Sequence, residues 1–137
     1  MRKRSRAREI ALQVLYQIDI TGDRSEDVLN NFWQMQAKPV DADIQEFAIS
    51  LVEGVSKNLE VINKTIARHA ANWQIERMAV VDRNILRVGC YELLFREDIP
   101  IKVSINEAVE LAKRYSGTEA AKFVNGILDK IKLEKDK

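Results

Sequence analysis

Apolar side chains recur every three or four residues along most of this chain. The first such stripe consists of Ala7, Ile10, Ala11, Val14, Leu15 and Ile18. This spacing matches the turn of an α-helix, and no segment shows the strict alternation that is typical of a strand. Similar stripes continue to Ile131, with interruptions at glycine and proline residues. The pattern therefore predicts an all-α fold of about seven helices.

Capping residues and breakers predict where the helices begin and end. Gly22 should end the first helix, and Asp41 should cap the third. The apolar positions change phase at residues 54–58, which indicates a break between two helices. Ser104 and Glu107 have the spacing of a capping box, so we expect the sixth helix to begin there.

The fifth predicted helix, at residues 79–96, is apolar on most of its sides, which is typical of a central, buried helix. Residues 73–77 resemble a connector between two halves. We therefore expect one domain, residues 1–137, made of two small helical bundles that share a core, with subdomains at approximately 1–73 and 74–137. The charged residues 132–137 should fray.

The length and composition of the chain agree with a single soluble domain. It has 137 residues, of which 46% are hydrophobic and 31% are charged. No apolar run approaches the roughly 18 residues needed to cross a bilayer, and no separable secretory signal is recognisable. Because Cys90 is the only cysteine, an intrachain disulfide is impossible, which suits a reducing compartment. We expect a cytoplasmic protein that does not associate with membranes.

The sequence lacks the side-chain sets that support catalysis or cofactor binding. Its five glycines form no phosphate-binding loop. A histidine-dependent nucleophile or a zinc site would have to use His69, the only histidine. Glu92 has apolar neighbours, and such an acid more often satisfies a backbone or arginine partner than acts in catalysis. We therefore predict a protein that is not an enzyme and has no catalytic residues, cofactor or metal.

Positive charge is concentrated at the start of the chain. The formal net charge is only +1, but the residues before the first acid, Glu9, include five cations. These cations are Arg2, Lys3, Arg4, Arg6 and Arg8. Positive side chains at a helix N-terminus oppose the helix dipole, so helix stability does not explain them. We interpret the cluster as a site for a polyanion; the alternative is a solvated tail that aids solubility.

Two apolar side chains of the first helix point away from its main stripe. On a helical wheel, Leu12 and Tyr16 lie about 140° and 180° from Ala7. Polar residues surround the pair, and an apolar centre with a polar rim is typical of a protein contact. The alternative, that another helix of the same domain covers Leu12 and Tyr16, is equally consistent with the periodicity.

A second cluster with cations lies where the sixth and seventh predicted helices meet. It consists of Lys113, Arg114, Tyr115, Ser116, Gly117, Thr118 and Lys122. Tyr115 can offer a ring for base stacking, and the free N–H groups after Thr118 can bind a phosphate. Equally, Tyr115 can complete the core stripe of the sixth helix, while Ser116-Gly117 is an ordinary helix stop.

Several segments of the chain resemble a known family, the NusB transcription antitermination factors. The most specific resemblance is in residues 105–113 (INEAVELAK) and 122–129 (KFVNGILD). Further similar segments are residues 6–9, 11–16, 82–87 and 91–93. The resemblance covers essentially the whole chain in order.

This resemblance implies an all-helical fold of two subdomains and a role in transcription. Members of the family pair with the ribosomal protein NusE and bind boxA RNA. They act in the transcription elongation complex, with RNA polymerase and other Nus factors. Carried over by position, with Lys122 added from the second cluster, the RNA-binding residues are Lys3, Arg4, Arg6, Arg8, Tyr115, Glu119 and Lys122. The NusE-facing residues are Tyr16 and Asp82, and Leu12 joins them as the neighbour of Tyr16.

The sequence leaves two alternatives open. One is a non-catalytic helical protein-interaction domain that never contacts RNA. The other is the NusB-like domain of an RNA cytosine methyltransferase, which would require the chain to be a fragment of a longer enzyme.

Overall fold

The structure, a computed structural model, describes residues 2–71 and 73–135. These residues form seven α-helices and one 3₁₀ turn, and they contain no strand. The helices are α1 (Lys3–Thr21), α2 (Ser25–Gln34), α3 (Ala42–Lys57), α4 (Leu59–His69), α5 (Val80–Phe95), α6 (Ile101–Tyr115) and α7 (Thr118–Lys135). The 3₁₀ turn, Ile75–Arg77, precedes α5. The all-α prediction is confirmed, and none of the described helices is long and apolar enough to cross a membrane.

The chain divides into two compact units, the first ending at Lys57 and the second beginning at Asn58. In the first unit, α1 packs against α2 and α3. In the second unit, α4 packs against α5 and α7, and α6 packs against both α5 and α7. We expected the division near residue 73, but α4 belongs with the later helices because it packs against α5 and α7. That the two units form one domain with a shared core stays a prediction.

Local signals set several helix ends as expected. Gly22 ends α1 with a positive φ of 75°, and its N–H donates to the Ile18 carbonyl over 2.8 Å. Only glycine adopts this left-handed conformation without strain. At the start of α3, Oδ1 of Asp41 accepts the N–H of Asp43 at 2.9 Å, as expected of a capping residue. The predicted break at residues 54–58 is also confirmed, because α3 ends at Lys57 and α4 begins at Leu59.

The predicted start of α6 is wrong. This helix begins at Ile101, directly after Pro100, whose carbonyl accepts the N–H of Ser104 at 3.1 Å. Ser104 therefore lies inside the helix, where it is buried. Its hydroxyl donates to Oε1 of Glu92 at 2.7 Å instead of capping the helix. Glu92 thus has a structural partner in the hydroxyl of Ser104.

Helix α5 is the buried helix of the second unit, as predicted. Every residue from 84 to 93 is buried. Gly89 permits close packing at the middle of this segment, because a Cβ atom there would lie 2.9 Å from Cδ1 of Leu128 on α7 and 3.5 Å from Cβ of Ala108 on α6. These contacts fix the helices whose ends form the candidate site.

Candidate functional site

The first candidate region is the N-terminal basic segment, which we define as Lys3, Arg4, Arg6 and Arg8. Helix α1 starts at Lys3, so all four side chains lie on its first two turns. The first turn contains no acidic residue to complement the helix dipole. The charges must therefore be stabilised by other residues, by solvent or by a ligand.

Lys3 contacts two acids of the first unit. Its Nζ lies 3.2 Å from Oδ2 of Asp41 and 3.2 Å from Oδ2 of Asp43. The hydrogen bond to Asp43 is the largest of the interactions that raise the pKa of Lys3. The pKa of Asp41 is lowered, first by the N–H of Asp43 and then by Lys3. Lys3 is exposed, but its charge already faces two carboxylates.

The arginines of the basic segment also contact their own chain. The guanidinium carbon of Arg4 lies 4.4 Å from the centroid of the Phe47 ring, and that of Arg8 lies 5.2 Å from it. Nη1 of Arg6 lies 3.6 Å from Oε1 of Glu9. Arg4 is exposed and Arg6 is half-buried, so both remain accessible.

The expectation that Arg8 contacts RNA must be corrected. Its side chain is only 2% exposed, because it lies on the face of α1 that meets Phe47 of α3. A buried guanidinium cannot reach an external phosphate without a rearrangement of the first unit. The basic segment therefore offers Lys3, Arg4 and Arg6 at its surface.

The expected outward pair on α1 is only half correct. Tyr16 is 39% exposed, but Leu12 is 3% exposed. The helical wheel failed for Leu12 because α1 is buried on all sides at residues 7–12, and not along a single stripe. Ile20, one turn beyond Tyr16, is exposed and was missed. The apolar surface of α1 therefore consists of Tyr16 and Ile20.

The second candidate region is a cleft in the second unit, with a volume of about 630 Å³. It lies where the 3₁₀ turn and the start of α5 meet the end of α6 and the start of α7. Its lining residues are Trp73, Arg77, Met78, Ala79, Asp82, Ser116, Glu119, Ala120, Lys122 and Phe123. The structure thus brings together three of the predicted site residues, Asp82, Glu119 and Lys122, with Ser116 of the second cluster.

Two aromatic side chains of the cleft were missed by sequence reasoning. Trp73 and Phe123 pack edge to face, with their ring centroids 5.6 Å apart and an angle of 69° between the planes. Trp73 is 56% exposed. Phe123 fits the apolar stripe of α7, so the periodicity assigned it to the core. Trp73 could have been recognised as a candidate site residue because it is a large aromatic residue in a polar connector.

Some of the charged groups of the cleft have a partner within the protein, and one carboxylate oxygen lacks a hydrogen bond from the described residues. Oε1 of Glu119 lies 3.7 Å from Nζ of Lys122 across one turn of α7. Oδ1 of Asp82 is buried and accepts no hydrogen bond from any residue that the structure describes. Asp82 lies in the first turn of α5, where the helix dipole favours its negative charge. A buried acceptor without a donor costs folding free energy, and its burial keeps Oδ1 itself from contacting a ligand in the cleft.

Tyr115 lies beside the cleft and does not line it. It is the last residue of α6 and is 41% exposed. The next residue, Ser116, does line the cleft, and Gly117 then turns the chain into α7 with a φ of 110°. The alternative in which Tyr115 is sealed in the core is therefore wrong.

Neither region contains metal-binding chemistry. Among residues 2–71 and 73–135, no group of three or more histidine, cysteine, aspartate or glutamate side chains is placed to hold a metal ion. Burial raises the pKa of the Cys90 thiol to about 12, so this thiol stays protonated and weakly nucleophilic.

The fold and these two regions define a small all-α protein whose candidate sites are surface features of helix ends. The sequence model of the NusB family matches residues 5–132. Because this match covers nearly all of the chain, the protein belongs to the NusB family.

Individual relatives agree with this assignment over almost their whole length. Transcription antitermination protein NusB of Anaeromyxobacter sp. (strain Fw109-5) is 49% identical over 129 residues, which is 94% of this chain and 89% of the relative. A structure of T. maritima NusB is 40% identical, covers 96% of this chain and 91% of its own, and gives a TM-score of 0.86. A structure of antitermination factors NusB and NusE in complex with dsRNA is 32% identical, covers 98% of both chains and gives a TM-score of 0.88. The first and the third of these relatives are named as antitermination factors.

Proposed function

We propose that this protein is a cytoplasmic transcription antitermination factor that binds boxA-type single-stranded RNA together with the ribosomal protein NusE. In this role it supports the transcription of ribosomal RNA, within the elongation complex of RNA polymerase and other Nus factors. The proposal is supported by membership of the NusB family and by the likeness to a NusB that is in complex with NusE and dsRNA.

The cleft is the observation that carries the RNA part of the proposal. Single-stranded RNA is recognised through unstacked bases that stack on aromatic side chains, while cations contact the phosphates. Trp73 offers an exposed indole face beside Phe123, and Lys122 and Arg77 line the same cleft. Tyr115 and Glu119 lie at its edge and its wall, where they can contact neighbouring nucleotides.

The NusE part of the proposal uses Tyr16 and Asp82. Tyr16 presents an amphipathic ring beside the apolar side chain of Ile20, which is a suitable centre for a protein contact. Asp82 is half-buried in the first turn of α5, and its negative charge can pair with a lysine or arginine of the partner. Leu12 takes no direct part, because it is buried.

An RNA titration with and without NusE tests the proposal. Fluorescence anisotropy would measure the affinity for boxA-type RNA and for a scrambled RNA of the same length and composition. We expect tighter binding of the boxA-type RNA and a further gain when NusE is present. Equal affinity for both RNAs, with no effect of NusE, would contradict the proposal and favour an interaction domain that does not recognise RNA.

Two tyrosines of similar exposure provide matched variants for the two partners. Tyr16→Asp should weaken NusE binding, because it places a charge in an apolar contact, and should leave binding of RNA alone unchanged. Tyr115→Asp should do the reverse, because it removes a ring and adds a negative charge beside the RNA cleft. Calorimetry with NusE and anisotropy with RNA would separate these effects. Loss of both activities in one variant would show that the two surfaces are not distinct.

A further inference from the structure

The ion pair between the start of α1 and the start of α3 is the basis of this inference. Lys3 lies 3.2 Å from one carboxylate oxygen of Asp41 and 3.2 Å from one of Asp43. The carboxylate of Asp41 is held in place by the local structure, because it also accepts the N–H of Asp43 at the beginning of α3. Two negative charges, one of them fixed, therefore face the ammonium group of Lys3.

The surroundings of this ion pair make it exchangeable. All three side chains are exposed to solvent, where ion pairs contribute little to stability and can re-form with other ions. Lys3 itself contacts two acids, so its own charge is more than balanced. A phosphate that approaches Lys3 competes with these carboxylates for the ammonium group and is repelled by them. The contact thus opposes the binding of any polyanion at this position.

We propose that Asp41 and Asp43 act as an internal competitor for RNA, holding Lys3 in the free protein and releasing it only when a phosphate takes their place. This inference rests on the proposed function, because it assumes that the basic segment contacts RNA. The competition lowers the affinity for every RNA by the same factor. Only an RNA that makes further contacts elsewhere on the protein then binds well, so the acids reduce binding to unrelated transcripts.

A purely structural explanation predicts a different result. If the ion pair only fastens α1 to α3, its removal lowers the stability of the first unit and leaves RNA affinity unchanged. Asp43→Asn separates these explanations, because Asp43 is exposed and the substitution removes one charge with little change in shape. Asp41 is less suitable as the first variant, since it also caps α3.

The experiment measures the affinity of the full-length protein for boxA-type and for scrambled single-stranded RNA. We expect Asp43→Asn to tighten both by about threefold, in the range that exposed ion pairs allow. Glu46→Gln is the matched control, because it removes the same charge from an exposed position of the same helix. It should give a clearly smaller gain. In a Lys3→Ala background, the gain from Asp43→Asn should fall to that of Glu46→Gln. Thermal unfolding would verify that each variant is folded.

The outcomes distinguish this inference from the proposed function. If Lys3→Ala weakens RNA binding but Asp43→Asn leaves it unchanged, the internal competitor is wrong and the RNA site stands. If Glu46→Gln raises RNA affinity as much as Asp43→Asn does, the cause is a general charge effect and the inference is wrong. The same holds if Asp43→Asn gives its full gain in RNA affinity in the Lys3→Ala background. If the RNA does not bind the unaltered protein at all, the proposed function itself is wrong.

Discussion

The basic segment and the cleft differ in how many of their side chains already interact with other residues of the protein. In the basic segment, Lys3 faces two carboxylates and Arg4 lies over the ring of Phe47. In the cleft, the indole of Trp73 is largely exposed, and Oδ1 of Asp82 accepts no hydrogen bond from the described residues. The basic segment, which has the higher density of charge, is thus the region whose side chains already have more partners within the protein.

This difference shows that charge density along a sequence does not measure the availability of a site. A cation that is close to its own acids has already gained part of the energy that a phosphate would offer. An exposed ring such as that of Trp73 gains its stacking interaction only when a ligand arrives. We therefore expect the cleft to contribute more to RNA affinity than the basic segment, and the basic segment to contribute mainly to the salt dependence.

The largest expected effect is a loss of stability caused by disturbing the packing of the helices that carry the cleft. Gly89→Ala would place a Cβ atom 2.9 Å from Cδ1 of Leu128 in the buried centre of the second unit. Overpacking of this kind costs about 1–3 kcal/mol of unfolding free energy, and the roughly 0.5–1 kcal/mol that alanine gains over glycine in a helix offsets part of it. Denaturant unfolding would measure it. RNA affinity should fall as well if the cleft depends on this packing.

Gly126→Ala is the matched control for that variant. Gly126 also lies inside a helix of the second unit, but a Cβ atom there would have no heavy atom within 4 Å. We expect a gain of about 0.5–1 kcal/mol, because alanine loses less backbone entropy than glycine in a helix. Destabilisation by both substitutions would mean that close packing at Gly89 is not the cause.

The next effect tests the cleft directly. Trp73→Ala removes the exposed ring, and we expect a roughly tenfold loss of RNA affinity, since stacking contributes about 1–3 kcal/mol per base. Phe95→Ala is the control, because Phe95 is also an exposed aromatic residue of the second unit but is stacked on Tyr91, away from the cleft lining. Anisotropy titration would compare the two variants. Equal losses of RNA affinity in the two variants would show that the cleft has no specific role in RNA binding.

A smaller effect is expected from the accessible arginines of the basic segment. Replacing Arg4 and Arg6 together with alanine should lower RNA affinity several-fold at low salt and reduce the slope of log K against log salt by about 1.4, or 0.7 for each lost phosphate contact. Titrations at two or more salt concentrations would measure it. A larger loss than that of Trp73→Ala would reverse the order proposed for the two regions.

The features that the sequence predicted well depend on neighbouring residues. The end of α1 at Gly22 and the cap of α3 at Asp41 are decided within one or two turns. The apolar repeat likewise predicted the number and type of the helices. The start of α6 was missed because a tertiary partner, Glu92, uses the Ser104 hydroxyl that the motif assigns to a cap.

The features that could not be predicted depend on contacts between distant residues. Lys3 finds Asp43 forty positions later, and Arg8 is buried by a phenyl ring on another helix. Nothing in the local pattern marks either contact. The candidate site shows the same limit, since Asp82 was assigned to one surface and Glu119 to another, yet both line one cleft. Family resemblance supplied these positions, and only the fold showed which of them lie together.

The end of α7 is a further case, because the charged tail was expected to fray. The helix continues to Lys135, whose Nζ donates to the carbonyl of Leu93. Glu134 binds two residues of α4: its Oε1 lies 2.6 Å from Nη2 of Arg68, and its Oε2 lies 2.5 Å from Nε2 of His69. Residues 136–137 lie outside the described part of the chain. Charges remote from the cleft are thus paired in the second unit as well.

The smallest expected effect is a pH-dependent one at Glu134. Its pKa is lowered, chiefly by the hydrogen bond from Arg68. A carboxylate with a lowered pKa in the folded state stabilises that state above its unfolded pKa, and the contribution is lost as the pH falls through the lowered value. Glu134→Gln should therefore lower the thermal midpoint slightly at pH 7, and the difference should disappear in acid. Glu60→Gln, which breaks the Lys64–Glu60 ion pair within α4, controls for the loss of one negative charge. A deficit for Glu134→Gln that is the same at pH 7 and in strong acid would show that the α7 end is held by packing, and that its ion pairs contribute nothing.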